Sequence, residues 1–134
     1  MPFFRLERSV AYGRPGELLL SALVRARFAE LLGARIEHGQ ADLFLLGLLS
    51  MMDTILEIPM SAVLEGLPLD EDSREFLLEH KGKLAAIFEL VVAVESGMWK
   101  LVLQWCRDVR VAEEFAAVCY GEAMKWAQSM TSLT

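Results

Sequence analysis

The chain has 134 residues, a formal net charge of −6 and an apolar content of 54%. This length suits one domain that buries its own core. The negative charge argues against non-specific binding to nucleic acid, which needs basic side chains to neutralise phosphates, and against docking on anionic membranes. The high apolar content indicates either a densely packed helical domain or one that leaves an apolar face for a partner, and we favour the partner.

Cysteine content and the charge pattern of the N-terminus predict the compartment. Cys106 and Cys119 are too few for a disulfide framework and are expected to be small buried hydrophobic side chains. A secretory signal is not expected, because charged side chains within residues 5–8 precede any apolar segment. The longest apolar run, residues 43–52, is about half of a bilayer span. These features predict a cytoplasmic protein.

Residues 1–16 are predicted to form an irregular N-terminal segment, because proline and glycine interrupt them repeatedly. Phe3 and Phe4 lie in this segment. Aromatic side chains at a terminus need something to pack on, so they either fold back on their own domain or contact a second chain or a missing upstream domain.

Residues 17–134 are predicted to form a helical domain. Its first helix, over residues 17–36, has apolar side chains at three- and four-residue steps. Arg25, Arg27 and Arg35 are spread along it in several directions. We therefore predict that these arginines are solvated and do not form an anion site.

A central helix is predicted over residues 41–57. The absence of polar side chains from residues 43–49 predicts that this part is buried on every face. Gly47 is costly inside a helix and is expected to let a neighbouring helix approach closely. Pro59 suits the first position of a short helix that ends near residue 65.

The rest of the chain predicts further helices and no strand. Asp70 suits the N-cap of a helix over residues 71–79, and three amphipathic helices follow. The fold class is therefore all-α, with about six helices. Trp99 lies off the apolar stripe of its helix, so it either packs on the turn at Gly97 or is exposed for a partner. The candidate partner-interface residues are Phe3, Phe4 and Trp99.

No group of residues predicts a reaction. His38 and His80 fall in turns far apart in sequence and do not supply the converging ligands that a metal site needs. Glycine-rich phosphate-binding loops are absent. The adjacent carboxylates Glu71 and Asp72 suit the start of a helix better than acid–base catalysis. We therefore expect no catalytic residue, metal or cofactor.

A series of motifs resembles a known family. The motifs are GLLSMMD at residues 47–53, IPM at 58–60, LEGLPL at 64–69, Gly82, and ESGMW at 95–99. In this order they resemble the second half of the HDOD domain, in the version found in bacterial signal-transduction proteins described as EAL plus modified HD-GYP. The resemblance covers about residues 17–100 and implies part of a multi-helix, HD-like domain.

The resemblance also bears on catalysis. In metal-dependent HD-type relatives the equivalent helix reads GLLHDIGK, and its His-Asp pair binds metal for phosphodiester hydrolysis. Aligned on the shared Gly-Leu-Leu, Ser50 stands at the His, Met51 at the Asp and Asp53 at the glycine. Hydroxyl and thioether groups are poor ligands for such metals. The resemblance therefore implies a protein that is not an enzyme.

Two functions follow from this resemblance. The first is a non-catalytic signal-transduction module that acts through protein–protein interaction, with a partner or with a second copy. The alternative is a residual metal-dependent phosphohydrolase or a module that binds cyclic dinucleotides. These 134 residues contain neither an EAL domain nor the first half of an HDOD domain. The chain is either a piece of a longer protein or a short relative, and a short relative is expected to bury its uncovered apolar surface by self-association.

Overall fold

A computed structural model describes residues 15–131. Within that range it contains seven helices and no strand, which confirms the all-α class. With the short predicted helix after Pro59 included, the total is one more than the expected six. The helices are α1 (Pro15–Leu32), α2 (Leu43–Leu56), α3 (Met60–Val63), α4 (Glu71–Glu79), α5 (Ala85–Glu95), α6 (Trp99–Val109) and α7 (Glu113–Thr131). Phe3 and Phe4 lie outside the described residues.

Helix α1 begins and ends earlier than predicted. It starts at Pro15, whose fixed φ suits a first helical position. It ends at Leu32 because the chain turns at Gly33, whose N–H donates to the carbonyls of Ala29 and Glu30 at 3.1 and 3.2 Å. A side chain at Gly33 would lie 2.9 Å from Cδ1 of Leu43, so the turn also brings the chain close to the start of α2.

Helix α2 is capped at both ends, and its burial is less complete than predicted. Asp42 accepts from the N–H of Leu45 at 3.0 Å, and Glu57 ends the helix in the left-handed conformation at φ 56°. The prediction that residues 43–49 are buried on every face is wrong, because Leu45 is 36% exposed. Packing against α1 covers one side of α2, while the outer side of its first turn faces solvent.

Gly47 confirms the predicted close approach between helices. A Cβ atom added there would lie 2.6 Å from the Cα of Ala26 and 3.1 Å from the carbonyl oxygen of Arg25. Real Cβ atoms do not approach backbone so closely, so α1 and α2 meet at a distance that only glycine allows.

The most deeply buried helix is α5. Its residues 87, 88 and 90–94 are all buried. The ring of Phe88 stacks on Phe76 of α4 with centroids 4.5 Å apart. The end of α5, at Glu95, lies beside α1.

Asp70 caps α4 as predicted, accepting from the N–H of Ser73.

Candidate functional site

Ser50, at the position of the absent histidine, contacts an arginine from α1. The Nη1 atom of Arg25 donates to the hydroxyl oxygen of Ser50 at 3.2 Å. The Ser50 hydroxyl donates in turn to the carbonyl oxygen of Gly47 at 2.8 Å, within its own helix. The close approach of α1 and α2 at Gly47 brings these groups together.

Glu95 supplies the opposite charge. Nη2 of Arg25 donates to Oε1 of Glu95 at 2.7 Å, and Nε lies 3.2 and 3.3 Å from the two carboxylate oxygens. The side chain of Arg25 is 2% exposed and that of Glu95 is 13% exposed. A guanidinium that meets a carboxylate along one edge forms a strong, directional pair. We call these three residues the Arg25–Ser50–Glu95 cluster.

The prediction that Arg25 is solvated is therefore wrong. Its partner Glu95 lies 70 residues later in the chain, so the helical pattern around Arg25 carries no sign of it. Arg27 and Arg35 are closer to the prediction, since Arg27 is partly exposed and Arg35 exposed. Arg27 pairs with Glu30 at 2.7 Å, and its guanidinium carbon lies 5.7 Å from the ring centroid of Trp126.

The position aligned with the metal-binding Asp is apolar. Met51 is 4% exposed and belongs to a small apolar cluster with Leu18 and Ala22. Asp53 uses one carboxylate oxygen to accept from the N–H of Thr54 at 2.9 Å. The Arg25–Ser50–Glu95 cluster thus consists of a guanidinium, a hydroxyl and the carboxylate paired with that guanidinium.

Metal-ligating side chains do not converge elsewhere in residues 15–131. No group of three or more His, Cys, Asp or Glu residues in that range could hold an ion. Nδ1 of His38 lies 3.1 Å from the carbonyl oxygen of Ala41, and His80 ends α4 in the left-handed conformation. His80 thus lies in a helix-ending turn, as expected, whereas His38 lies in the loop between α1 and α2, five residues beyond the turn at Gly33.

The exposed edge of Glu95 borders a shallow cavity of about 150 Å³. The other lining residues come from α1 and α7: Leu20, Ser21, Val24, Tyr120 and Met124. The carboxylate is the charged group of this lining, so the cavity favours neutral or cationic groups over anions.

Both cysteines are free and buried, as predicted. Burial raises the pKa of the Cys106 thiol and of the Cys119 thiol above the usual 9.0. A thiol that stays protonated is a weak nucleophile, so neither residue suits covalent chemistry.

Trp99 is 65% exposed, which selects the exposed alternative for this candidate interface residue. Leu103, which was not among the predicted interface residues, is 40% exposed one helical turn further along α6. Its four-residue spacing from Trp99 places both side chains on the same face of the helix, and this spacing could have identified it from the sequence. Met98 is also exposed, at 45%, because it precedes the first turn of α6.

In the described part of the chain, none of the helices combines the length and the apolar character needed to span a bilayer.

Two curated proteins are similar to most of this chain. It is 30% identical over 117 residues to the uncharacterized protein YuxH of Bacillus subtilis (strain 168), which covers 85% of this chain and 28% of that protein. It is 29% identical over 122 residues to the cyclic di-GMP phosphodiesterase CdgJ of Vibrio cholerae serotype O1, which covers 90% of this chain and 28% of that protein. No family model and no solved structure matches the chain. The chain is thus related in sequence to a little over a quarter of each protein, one of which is named for cyclic di-GMP hydrolysis.

Proposed function

We propose that this chain is an HDOD-like signal-transduction module that is not catalytic and acts through protein–protein contact, with a partner or with a second copy. The all-α fold, the ordered motifs and the relationship to CdgJ support an origin among signalling proteins. The similarity covers 28% of CdgJ, so the activity in that protein's name is not carried over to this chain.

The buried guanidinium beside Ser50 is the main support for the non-catalytic assignment. Arg25 donates to the hydroxyl that stands where a metal-binding histidine would be expected. At an effective dielectric of 20, two like unit charges 4 Å apart repel by about 4 kcal/mol, and a divalent ion doubles this. The Glu95 carboxylate offsets part of this repulsion, but both of its oxygens already accept hydrogen bonds from the guanidinium.

Helix α6 supports the proposed protein–protein contact. Trp99 and Leu103 are both exposed on this helix. Exposed tryptophan is more frequent in protein interfaces than on other surfaces, because it offers a large contact area at low entropic cost.

The first experiment measures metal content and hydrolysis on the purified full chain. We expect substoichiometric Mn, Fe and Zn by elemental analysis, and no cleavage of cyclic di-GMP above the blank, with CdgJ as the positive control. Stoichiometric metal together with cleavage that depends on it would overturn the non-catalytic assignment.

A second experiment addresses protein contact. Sedimentation velocity over a range of micromolar concentrations is expected to show reversible association of the full chain. A single species of monomer mass at every concentration would remove the second copy from the proposal and leave only a different partner.

A second candidate function is cyclic-dinucleotide binding or residual phosphodiester hydrolysis, which the name of CdgJ favours. The cavity beside Glu95, at about 150 Å³, is smaller than the roughly 300–1,000 Å³ of typical ligand pockets and presents a carboxylate to an anionic ligand. A saturable rise in Tm with cyclic di-GMP would establish this binding, and an unchanged Tm is expected.

A further inference from the structure

The exposed side of α6 combines apolar and basic side chains. Trp99, Leu103 and Arg107 follow one another at four-residue steps, and Lys100 lies beside them. Lys100 and Arg107 are both exposed and form no ion pair with any described residue. The exposed acid on this helix, Asp108, lies about half a turn around the axis from Trp99. We call Trp99, Lys100, Leu103 and Arg107 the α6 face.

Helix α4 carries a groove of the opposite charge. The open groove, of about 470 Å³, is lined by Glu71, Asp72, Arg74, Glu75, Leu78 and Glu79. Its apolar member, Leu78, is 42% exposed. This lining is called the α4 groove.

Local ion pairs neutralise only part of the α4 groove. Asp72 pairs with Lys83 at 3.1 Å and Glu79 with Lys81 at 3.7 Å. Glu71 and Glu75 form no ion pair among the described residues. Arg74, the base in this lining, donates to the carbonyl oxygen of Leu67 at 3.1 Å. The four acids of the lining outnumber it, so the α4 groove is acidic and suits the two unpaired bases of the α6 face. Exposed apolar side chains accompany the charges on both surfaces.

We propose that the α6 face of one copy docks into the α4 groove of a second copy. The inference rests on the proposed function, because it specifies the protein contact invoked there. Opposite charges placed across an interface steer association and select the partner. A symmetric contact of α6 with α6 is disfavoured, since it would place Lys100 and Arg107 against the same two cations.

The contact joins two different surfaces of the chain. An interface of this kind leaves one α6 face and one α4 groove open on each dimer, so association continues to larger assemblies unless a ring closes. This property makes the contact testable with pairs of variants that each lack one surface.

The experiment uses two charge-reversal variants of the full chain. Lys100→Glu with Arg107→Glu alters only the α6 face, and Glu71→Lys with Glu75→Lys alters only the α4 groove. We expect each variant alone to sediment as a monomer, because its altered surface then meets a surface of like charge.

An equimolar mixture of the two variants is expected to associate again. One variant retains the native α4 groove and the other the native α6 face, and the two reversed surfaces also complement each other. Lys125→Glu and Glu122→Lys are matched controls on exposed positions of α7 and are expected to associate like the original chain. Circular dichroism verifies that every variant is folded.

Trp99→Ala tests the apolar part of the contact. We expect it to raise the dissociation constant at least about tenfold, as for a buried tryptophan at an interface. Association of the original chain that neither charge reversal nor Trp99→Ala weakens would overturn the inference. So would a mixture of the two reversal variants that stays monomeric, or an original chain that never associates.

These failures differ from failure of the proposed function. The non-catalytic assignment is overturned by metal-dependent hydrolysis, which sedimentation does not measure. If the original chain associates and the α6 and α4 variants do not affect it, protein contact stands and only the surfaces named here are wrong.

Discussion

Nη2 of Arg25 and Oε1 of Glu95 lie 2.7 Å apart, joining α1 to the end of α5 across 70 residues of sequence. The pair contains a buried cation, the Arg25 guanidinium, which lies beside Ser50. Ser50 occupies the position where the HD-type pattern would place a metal ligand. The contribution of the pair to stability depends on both charges, because a buried charge without its partner has lost its hydration and gains no compensating attraction.

The first prediction concerns removal of one member of that pair. Glu95→Ala is expected to lower the free energy of unfolding by about 3–5 kcal/mol, since it removes the Glu95 carboxylate from a buried guanidinium. Urea denaturation followed by circular dichroism measures the change. The double variant Arg25→Met with Glu95→Leu is expected to lose less, because it removes both charges.

The exposed ion pair between Arg27 and Glu30 on α1 provides the control. Glu30→Ala breaks the ion pair with Arg27, whose two side chains are 35% and 47% exposed. Exposed pairs contribute about 0.2–1 kcal/mol. Equal losses for Glu95→Ala and Glu30→Ala would contradict the role assigned to burial.

The second prediction compares two helical glycines. In Gly47→Ala the new Cβ would lie 2.6 Å from the Cα of Ala26, so α1 and α2 must separate, at a cost of about 1–3 kcal/mol. In Gly121→Ala no atom lies within 4 Å of the new Cβ, so the higher helix propensity of alanine should stabilise α7 by up to about 1 kcal/mol. Thermal unfolding that shifts in the same direction for both variants would contradict the close approach.

The third prediction concerns the half-buried Glu89 on α5. Burial raises the pKa of its carboxyl above the usual 4.5, because desolvation disfavours the charged form. The folded state therefore holds this proton more tightly than the unfolded state. The resulting stabilisation is fully present below pH 4.5 and is lost as the pH rises through the raised pKa.

Glu89→Gln removes this titration. We expect the variant to be more stable than the original chain at neutral pH, with the difference shrinking as the pH falls toward 4.5. Denaturation curves recorded between pH 4 and pH 8 measure the trend. Glu122→Gln, at an exposed site on α7, is the control, with an effect within about 0.5 kcal/mol. A difference between Glu89→Gln and the original chain that is independent of pH would refute the assignment.

The fourth prediction has the opposite sign and concerns the N-cap of α4. The hydrogen bond from the Ser73 hydroxyl is the main cause that holds the pKa of Asp70 below its usual 3.8. A depressed pKa gives stability that is present above pH 3.8 and is lost as the pH falls through the folded-state value. Asp70→Ala should cost about 1 kcal/mol at neutral pH, and less in acid.

Asp70→Asn separates the cap from the charge. Asparagine can still accept from the N–H of Ser73, so this variant should keep most of the stability at neutral pH and lose the acid-dependent part. If the asparagine variant loses as much stability as the alanine variant, the charge of Asp70 contributes more than its hydrogen bonds.

The features that the sequence predicted correctly depend on neighbours along the chain. Asp70 acts within its own helix start, and the bounds of α4 follow from that cap and from the turn at His80. The all-α class follows from apolar side chains that recur every three or four residues. Gly47 predicted a close approach because glycine is otherwise costly inside a helix, although the sequence did not say that Ala26 would be the contact.

Other features depended on which segments meet in space. Arg25 was predicted to be solvated, because a charged side chain in an amphipathic pattern is usually exposed. Its counter-charge, Glu95, lies 70 residues away in the sequence and could not be recognised as its partner. The first half of α2 was expected to be buried on every face, but the described helices enclose α5 more completely. For Trp99 the sequence left two alternatives, and the packing of α6 left the ring exposed.

The sequence by itself determined that the chain is helical and where α4 begins and ends, and its resemblance to HD-type proteins aligns Ser50 and Met51 with a metal-binding pair. These properties follow from residue type and local spacing. Only the tertiary structure decided that a buried guanidinium lies beside Ser50 and that the α6 face and the α4 groove stay open. The physical reason is that a charge is buried only where a distant segment supplies its partner, and a surface stays exposed only where no other helix covers it.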